Sequence, residues 1–550
     1  MNKEVYSKYI KEKTDQNGNL VKIEINPTKN FNFSYDILDQ LAKKFPNDLA
    51  LVWCDNKNNS KKLTFKQISH LSNKAANYLK HCGIKKGDFV LIILKRQLEF
   101  WIILNALHKI GAVAIPATHM LTIDDLKYRI NFAKINSVIF TTQNNVSEKI
   151  LEIQKICSDL KRLICIGEKT KNCFNFLFEY ENFSEIFERN ETYVTDPMIG
   201  YFTSGTTGMP KLVIHNFAYP LAHIVTAKYW QKAQAGKLHL TVSDTGWAKA
   251  IWGKMYGQWM VRAVVMVYDF DKFAAEDLLN IINKYKVKTF CAPPTVYRFF
   301  IKNDSFQKNN LPYLEYATTA GEALEIEIIK EFKQKTGLEI VTAFGQTETT
   351  PVLINQNINE TKRGSLGKPS PIYEVTLLNK FGDEVTCGEI GEICIKLKSN
   401  KNQIGLFNCY WNDENLNKFA NRNGFYHTGD SAYFDKDGYY FYVGRIDDII
   451  KSSGYRIGPF EIESVLVAHP AVLECAVVGV FDETRGQIIK AIVVLTENYA
   501  PSEELVLELQ NFVKQRTAPY KYPRIIEFKP NLPKTISGKV KRKILKISSV

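Results

Sequence analysis

The sequence predicts an α/β protein with a large N-terminal domain of mostly parallel, helix-covered sheets, a smaller β-subdomain and a small α+β C-terminal domain. The chain has 550 residues, whereas one hydrophobic core usually supports roughly 250 to 300. Short β-branched runs alternate with helical stretches between residues 88 and 345, a pattern typical of parallel sheets covered by helices. Shorter strands and turns replace this alternation after residue 370.

Three stretches display the alternation. "DFVLIIL" (88–94) predicts a strand, "QLEFWIILNALHKIG" (97–111) a helix that ends at a glycine, and "AVAIPA" (112–117) the next strand. The same order recurs in "AVVMVYDF", "AEDLLNIINKYK" and "VKTFCAP" (263–293), and in "YATTAG", "EIEIIKEFKQKTG" and "EIVTAFG" (316–345). Ligands bind beyond the carboxyl ends of such strands. The loops that begin after residue 203, at "TTAGE" (318–322) and at "AFGQTE" (343–348) are therefore expected to converge on one site.

The C-terminal part has its own pattern. "VLECAVVGV", "QIIKAIVVL", "EELVLELQNFVKQR" and "RIIEFKP" predict a small sheet with helices on one side. We predict a boundary at "GRIDD" (444–448), which gives domains 1–444 and 445–550.

Composition limits the possible functions. The chain is 45% hydrophobic and 24% charged, as is ordinary for a globular protein. Its ten cysteines form no CxxC pair and no Cys/His group at zinc spacing, so we expect buried, reduced thiols. The net charge of +14 comes from dispersed lysines, which favours phosphorylated ligands and no nucleic acid. With no secretory signal pattern and no long apolar run, we expect a cytoplasmic protein without integral membrane association.

One short stretch stands out as an anion site. "YFTSGTTGMPKLVIHN" (201–216) crowds glycines and hydroxyl residues before the single cation Lys211. Glycines let backbone N–H groups turn inward, and hydroxyls add donors for phosphate oxygens. The stretch is not a Walker loop, because Met209 and Pro210 separate Gly208 from Lys211.

"TSGTTGMPK" (203–211) resembles the phosphate-loop signature of the adenylate-forming (ANL) superfamily. "TTAGEAL", "AFGQTE", "YHTGD" (426–430), "GRIDDIIKSSGYRIGPFEIE" (444–463) and "PKTISGKVKR" (533–542) follow in the family's order. The resemblance runs from about residue 35 to 545. "SDTGWAKAIWGKMYGQW" (243–259) and "TAPYKYPR" (517–524) are most similar to medium-chain acyl-CoA synthetases, including prokaryotic members that act on branched acids. The resemblance implies the ANL fold with a mobile C-terminal domain. It also implies that the protein uses ATP, Mg²⁺ and coenzyme A.

The resemblance also implies a nucleotide site. The β- and γ-phosphates would be held by Thr203, Ser204, Gly205, Thr206, Thr207, Gly208 and Lys211. Glu348 would bind Mg²⁺, Thr347 the α-phosphate and Phe344 the adenine, and the remaining nucleotide contacts would be Gly321, Glu322, Gly345 and Gln346. Asp430 and Arg445 would bind the ribose hydroxyls. Lys539 would contact the carboxylate and the α-phosphate, and it is predicted to be catalytic together with Glu348 and Thr203.

Other roles are implied for the thioester half-reaction. The C-terminal domain would rotate about Asp447, and the residues predicted to bind CoA are His119, Ser453, Gly454, Tyr455, Tyr522 and Arg524. The predicted acyl pocket comprises Trp247, Ile251, Lys254 and Arg456. Trp247, Ile251, Met255 and Trp259 recur at helical spacing, which equally suits the face of a core helix.

Lys249 and Lys254 depart from the apolar residues of mammalian-type members. Lys254 lies seven residues after Trp247 and would face the same side of a helix. We expect it to shorten or polarise the pocket in favour of short, branched or carboxyl-bearing acids.

The leading interpretation is an ATP-dependent acyl-CoA synthetase for a short- to medium-chain acid, straight or branched, acting as a monomer or homodimer. The alternative is a stand-alone adenylating enzyme that loads an acyl carrier protein, against which the CoA-side residues argue. A nucleotide-binding protein without catalysis would lack Glu348 or Lys539, and both are present. Nothing favours a luciferase-like oxidation. The acid itself is left open by the sequence.

Overall fold

Two large, mostly parallel sheets form the N-terminal part of the chain, as predicted. The computed structural model describes residues 4–203, 209–303, 306, 311–322, 324–398, 403–452, 455–535 and 539–547. The strands of the first sheet lie in the order Cys409–Tyr410, Lys211–Asn216, Pro197–Thr203, Val113–Pro116, Phe89–Ile93, Ser137–Thr141, Arg162–Ile166 and Phe174–Asn175. The first two pair antiparallel to their neighbours, and the pairs from Pro197–Thr203 onward are parallel.

The second sheet repeats this design. Its strands lie in the order Lys368–Pro369, Leu353–Ile354, Ile340–Phe344, Tyr316–Thr319, Thr289–Ala292, Leu238–Thr241, Val264–Asp269, Leu49–Asp55 and Ser60–Thr64. The central pairs are parallel, and antiparallel pairs stand at both edges. The strand–helix–strand units predicted at 88–117, 263–293 and 316–345 are thereby confirmed.

Helices cover both sheets, and two of them end at a glycine of the sequence pattern. Glu99–Ile110 ends at Gly111 with φ +84°, and Ile326–Thr336 ends at Gly337 with φ +78°, backbone conformations that favour glycine. The other α-helices of the N-terminal part are Asp39–Lys44, Phe65–His81, Ile123–Ala133, Val146–Ile156, Phe176–Glu179, Tyr219–Ile224, Ala248–Trp252, Tyr256–Met260, Ala275–Lys284, Pro294–Ile301 and Glu414–Ala420. Among the described helices, none is both long and apolar enough to cross a bilayer.

The prediction of one helical stripe from Trp247 to Trp259 is wrong in one respect. The segment forms two short helices, and Met255 between them has a non-helical backbone (φ −137°, ψ −68°). A Cβ on Gly253 would lie 2.6 Å from the Lys249 carbonyl oxygen, so the backbone is tightly packed where the chain turns. Trp259 belongs to the core and donates to the Ala50 carbonyl over 3.0 Å.

The β-subdomain is an antiparallel sheet with strands Val375–Leu378, Gly391–Lys396, Phe425–Phe434 and Asn421–Arg422, and Tyr440–Arg445 also pairs with Phe425–Phe434. Smaller antiparallel pairs are Ile10–Thr14 with Leu20–Ile25, and Ile450–Ser452 with Tyr455–Ile457. The ten cysteines, all described, are free thiols, and most of them are buried.

The C-terminal sheet comprises Val472–Asp482, Gly486–Leu495 and Ile525–Phe528. Helices Pro459–Val467 and Glu503–Arg516 pack on one face, as predicted. The prediction of helices on one side only is wrong, because Leu545 of the helix Arg542–Ile547 packs on the other face. Both faces of the long strands are apolar, so both need a cover. Arg542 anchors this last helix, since its guanidinium donates to both carboxylate oxygens of Glu463 over 2.7 Å.

Candidate active site

Lys211, Glu348 and Tyr410 form a cluster where the two large sheets meet. Lys211 Nζ lies 2.8 Å from Glu348 Oε1 and donates to the Tyr410 hydroxyl over 2.9 Å. Tyr410 donates to the same Glu348 oxygen over 2.8 Å, and the Lys211 ammonium lies 4.1 Å from the centroid of the Tyr410 ring. The cation and the carboxylate that the sequence predicts for phosphates and Mg²⁺ are therefore in direct contact.

Glu348 is held in its ionised form. Its side chain is almost completely buried, which favours the neutral acid. The charge of Lys211 and the hydrogen bonds from Lys211 and Tyr410 outweigh burial, and they hold the pKa of Glu348 below its ordinary value. A buried, ionised carboxylate of this kind suits a hard divalent cation such as Mg²⁺, which prefers carboxylate and phosphate oxygens.

The predicted phosphate loop is closed by a β-hairpin. Thr203 lies opposite Lys211 in the antiparallel pair Pro197–Thr203 and Lys211–Asn216. Tyr128 donates to the Pro210 carbonyl over 2.9 Å and so fixes the end of the loop next to Lys211. Thr203 Oγ1 is buried and, within the described part of the chain, accepts and donates no hydrogen bond. The predicted phosphate contacts between these strands (Ser204, Gly205, Thr206, Thr207 and Gly208) lie outside the described residues.

The loop after Phe344 is tied to the first sheet. His215 Nε2 lies 2.8 Å from the Thr347 carbonyl oxygen. Burial lowers the pKa of His215 to about 4, so the ring is neutral and its N–H donates to that carbonyl. A Cβ on Gly345 would lie 3.2 Å from Pro351 Cα, so this turn is tightly packed. The loop after residue 203 ends at Lys211, and Lys211 meets Glu348 of the loop at 343–348, as predicted for these two loops.

The predicted ribose pair meets across a hairpin. The register of Phe425–Phe434 with Tyr440–Arg445 sets Asp430 opposite Arg445, and Arg445 NH1 lies 3.2 Å from Asp430 Oδ2. Gln346 donates to the same oxygen over 2.6 Å, and Tyr442 donates to Oδ1 over 3.0 Å. The Gln346 carbonyl oxygen accepts from Tyr426 over 2.8 Å, so the amide orientation is fixed as well.

Lys539 lies within electrostatic reach of Asp430. Burial raises the pKa of Asp430, and the opposing influences include Arg445, Tyr442, Gln346 and the charge of Lys539. Lys539 itself is exposed, and its backbone N–H donates to Thr535 Oγ1 over 3.1 Å. The candidate ribose site and the candidate catalytic lysine therefore share one region.

In the predicted acyl region, Lys249 faces the second sheet. Its Nζ donates to the Ala320 carbonyl and would lie 3.8 Å from a Cβ on Gly321, whose φ of +107° favours glycine. Burial lowers the pKa of Lys249, and its charge interacts with those of Glu322 and Lys539. Trp247 is half-buried just before the helix Ala248–Trp252.

Lys254 has different surroundings. Its buried Nζ donates to the Ser243 carbonyl over 3.2 Å and lies 5.8 Å from the Trp101 ring centroid. Burial, opposed by Asp244 and assisted by Arg96, lowers the pKa of Lys254 to about 7. Ile251 is part of the main core. The side chain of Arg456 lies outside the described residues. None of these contacts joins Lys254 to Trp247, so the role predicted for Lys254 in the acyl pocket stays a prediction.

The predicted CoA residues form two groups. In the C-terminal lobe, Tyr455 stacks on Tyr520 with ring centroids 4.0 Å apart, and Arg524 donates to the Tyr522 hydroxyl over 2.9 Å. His119 belongs to the other lobe, where burial and the charges of Lys95, Arg96 and Lys149 lower its pKa against the opposing Asp244. Ser453 and Gly454 lie outside the described residues.

The sequence interpretation missed four residues at this site. Three of them are tyrosines whose hydroxyls donate to predicted site residues: Tyr410, Tyr426 and Tyr442. The other is Tyr520, whose ring stacks on that of the predicted site residue Tyr455. Tyr442 lies three residues before Arg445 on one strand, so a hairpin between "YHTGD" and "GRIDD" could have indicated it. Tyr410 is 199 residues from Lys211 and 62 from Glu348, and no spacing signal connects them.

Comparison with known proteins agrees with this geometry. Residues 38–411 match the family model of the AMP-binding enzymes, and residues 461–539 match that of their C-terminal domain. The human mitochondrial acyl-coenzyme A synthetase ACSM4 is 39% identical over 94% of this chain and 90% of its own length. The 4-hydroxybutyrate–CoA ligase 1 of Metallosphaera sedula is 40% identical, over 94% of this chain and 90% of its own length.

Solved structures give the same result. The anthranilate CoA ligase AuaEII in complex with anthranoyl-AMP superposes with a TM-score of 0.87 at 27% identity, over 95% of this chain and 98% of that one. A benzoate CoA ligase from Burkholderia xenovorans LB400 superposes with a TM-score of 0.81 at 26% identity, over 94% and 100%. The chain therefore belongs to the AMP-binding enzyme family, as an ATP-dependent acyl-CoA synthetase that forms its thioester through an acyl-adenylate.

Proposed function

We propose that this synthetase activates short- to medium-chain acids, branched ones included, and that Lys249 limits the depth of its acyl pocket. The observation that carries the proposal is the contact of the Lys249 ammonium with the Ala320–Gly321 loop. Its charge interacts with that of Lys539, the residue proposed to meet the carboxylate and α-phosphate. A buried cation is thus close to the point where the acyl chain would leave the carboxylate.

This position has a consequence for the acid. A long alkyl chain that ran past Lys249 would remove polar surroundings from the ammonium without replacing them, which is costly. A short chain stops before that point, and an acid with a hydroxyl or second carboxylate offers an acceptor instead. The Metallosphaera sedula relative is named a ligase of 4-hydroxybutyrate, a short hydroxy acid, which supports this reasoning.

We assign the nucleotide roles from the contacts. Lys211, beside Thr203, would bind the terminal phosphates, while Asp430 and Arg445 would bind the ribose. The ionised Glu348 fits Mg²⁺, which would reduce the negative charge that the acid meets at the phosphates. Lys539 would neutralise the charge that develops between carboxylate and α-phosphate.

We further propose that the lobes rotate between the two half-reactions about Asp447, with domains 1–444 and 445–550. Asp447 follows the last strand of the N-terminal lobe and is half-exposed, and its carbonyl accepts from Lys546 over 3.1 Å. The stacked Tyr455 and Tyr520 would then approach the pantetheine channel near His119. A cytoplasmic location and a monomeric or homodimeric state stay predictions.

The test measures pyrophosphate release across straight acids from acetate to laurate and a branched set, followed by thioester formation with free CoA. We expect the wild type to prefer short and medium chains. In Lys249→Leu, kcat/KM for long acids relative to short ones should rise by about fourfold per added methylene, the gain expected for about 0.8 kcal/mol of burial.

Lys254→Leu is the comparison variant, because the sequence predicts that Lys254 shortens or polarises the pocket. The proposal about Lys249 requires the chain-length profile to shift more in Lys249→Leu than in Lys254→Leu, the variant of the residue whose Nζ donates to the Ser243 carbonyl. If kcat/KM depends on chain length in Lys249→Leu as it does in the wild type, the proposal about Lys249 is contradicted. A change of this dependence in Lys254→Leu alone contradicts it as well. Transfer to a carrier protein without transfer to CoA contradicts CoA as the acyl acceptor.

A further inference from the structure

Three side chains with different ligand atoms meet on one face of the β-subdomain. Glu392 and Cys394 are two residues apart on the strand Gly391–Lys396, so they face the same side. His427 pairs with Cys394 across the antiparallel strand Phe425–Phe434. Cys394 is completely buried, and the side chains of Glu392 and His427 are only 12% and 9% exposed. This group lies apart from Glu348 and the phosphate loop in sequence and in its strands.

The separations are close to those of a metal site. His427 Nδ1 lies 2.8 Å from Glu392 Oε2 and 3.5 Å from Cys394 Sγ, and the three ligand atoms lie within 4.8 Å of one another. Zn–N bonds of about 2.1 Å and Zn–S bonds of about 2.3 Å at tetrahedral angles separate N and S by about 3.6 Å. The same geometry separates N and O by about 3.4 Å. The Glu392–His427 pair has to open by about half an ångström. The third separation, between Glu392 and Cys394, lies within the same 4.8 Å.

One surrounding contact orients the Glu392 carboxylate. Glu392 Oε1 already accepts the Gly429 N–H over 2.9 Å, which orients the carboxylate so that Oε2 faces His427. Such outer hydrogen bonds are typical of ligating carboxylates. One carboxylate and one thiolate balance a dication, and Arg422 NH2 is 3.6 Å from Oε2 at the rim. A set of one O, one N and one S atom favours zinc-like cations over Mg²⁺ or Ca²⁺.

We propose that Glu392, Cys394 and His427 bind one zinc-class divalent cation, with water as the fourth ligand. The bound cation crosslinks two strands of the β-subdomain. One of those strands also carries Asp430, three residues after His427, so the cation stiffens the support of the candidate ribose site. The binding of this cation can be measured without acyl-CoA synthesis.

The test is a calorimetric titration of chelator-treated protein with Zn²⁺ in the absence of nucleotide. We expect one site per chain, and Cys394→Ala should weaken it by more than about 100-fold, because even outer partners of ligands contribute about 10- to 100-fold. Glu348→Gln and Cys387→Ala are matched controls for the candidate magnesium site and for an exposed thiol, and both should keep the wild-type affinity.

Cobalt provides a second readout that needs no variant. Co²⁺ bound to the wild type should show a sulfur-to-cobalt charge-transfer band and the intense visible bands of tetrahedral coordination, and Zn²⁺ should remove them. A wild-type affinity no higher than that of Cys394→Ala overturns the proposal, and so does a cobalt spectrum without the sulfur band. Glu392 and His427 would then be an ion pair only.

Discussion

Removal of the Tyr410 hydroxyl isolates one contact at the centre of the candidate active site. In Tyr410→Phe the aromatic face near the Lys211 ammonium is kept, and only the bonds of the hydroxyl to Lys211 and Glu348 are lost. Burial raises the pKa of Tyr410 far above its ordinary value, so the hydroxyl is protonated and donates to Glu348 throughout the working range of pH.

The expected magnitude follows from these bonds. A hydrogen bond to a charged group contributes about 1.5 to 3 kcal/mol. Lys211 and Glu348 remain in direct contact at 2.8 Å in the variant, so the net loss is that of about one such bond. We therefore expect kcat/KM for ATP to fall by about 10- to 100-fold, in the range known for outer partners of metal ligands.

The assay is pyrophosphate release at saturating acid, with ATP and then Mg²⁺ varied. The matched control is Tyr373→Phe, which removes a buried hydroxyl whose partners are the backbone N–H and hydroxyl of Thr350. We expect this control to lose stability while kcat/KM stays within about twofold of the wild type. If Tyr410→Phe behaves like Tyr373→Phe, the hydroxyl does not organise Lys211 and Glu348 for ATP.

Two further predictions concern single lysines. Lys539→Ala should stop adenylate formation and largely spare thioester formation from a supplied acyl-adenylate, and an equal loss of both half-reactions contradicts the assigned role. The pKa of Lys254 falls from 10.5 in the unfolded chain to about 7 in the fold. The unfolded state therefore binds the proton more tightly, and stability is lost as pH falls from about 10.5 to 7. Lys254→Met should remove this loss of stability. The thermal midpoint of the variant should therefore exceed that of the wild type by more at pH 7 than at pH 10. An equal difference at both pH values would refute the lowered pKa of Lys254.

Much of the fold and part of the site follow from local patterns. The strand–helix–strand units are predictable because periodicity and the terminal glycines Gly111 and Gly337 act over a few residues. Asp430 and Arg445 are predictable because a short hairpin brings two motifs into register.

Other features depend on packing that no local pattern records. Tyr410 reaches Lys211 and Glu348 only because its strand adds to the edge of the first sheet. The break between Trp247 and Trp259 precedes a helix that packs very closely on its neighbour, since a Cβ on Gly257 would lie 2.1 Å from the His223 carbonyl oxygen. Cys394 and His427 are likewise 33 residues apart and meet only through strand register.

The anchored last helix bears on how this protein is best handled in the laboratory. Lys539 is followed three residues later by Arg542, whose guanidinium is bound to Glu463, and then by Leu545 in the small core. The position of the candidate catalytic lysine is thus restrained by contacts of the residues that follow it. Affinity tags and immobilisation linkers are accordingly better attached at the amino terminus.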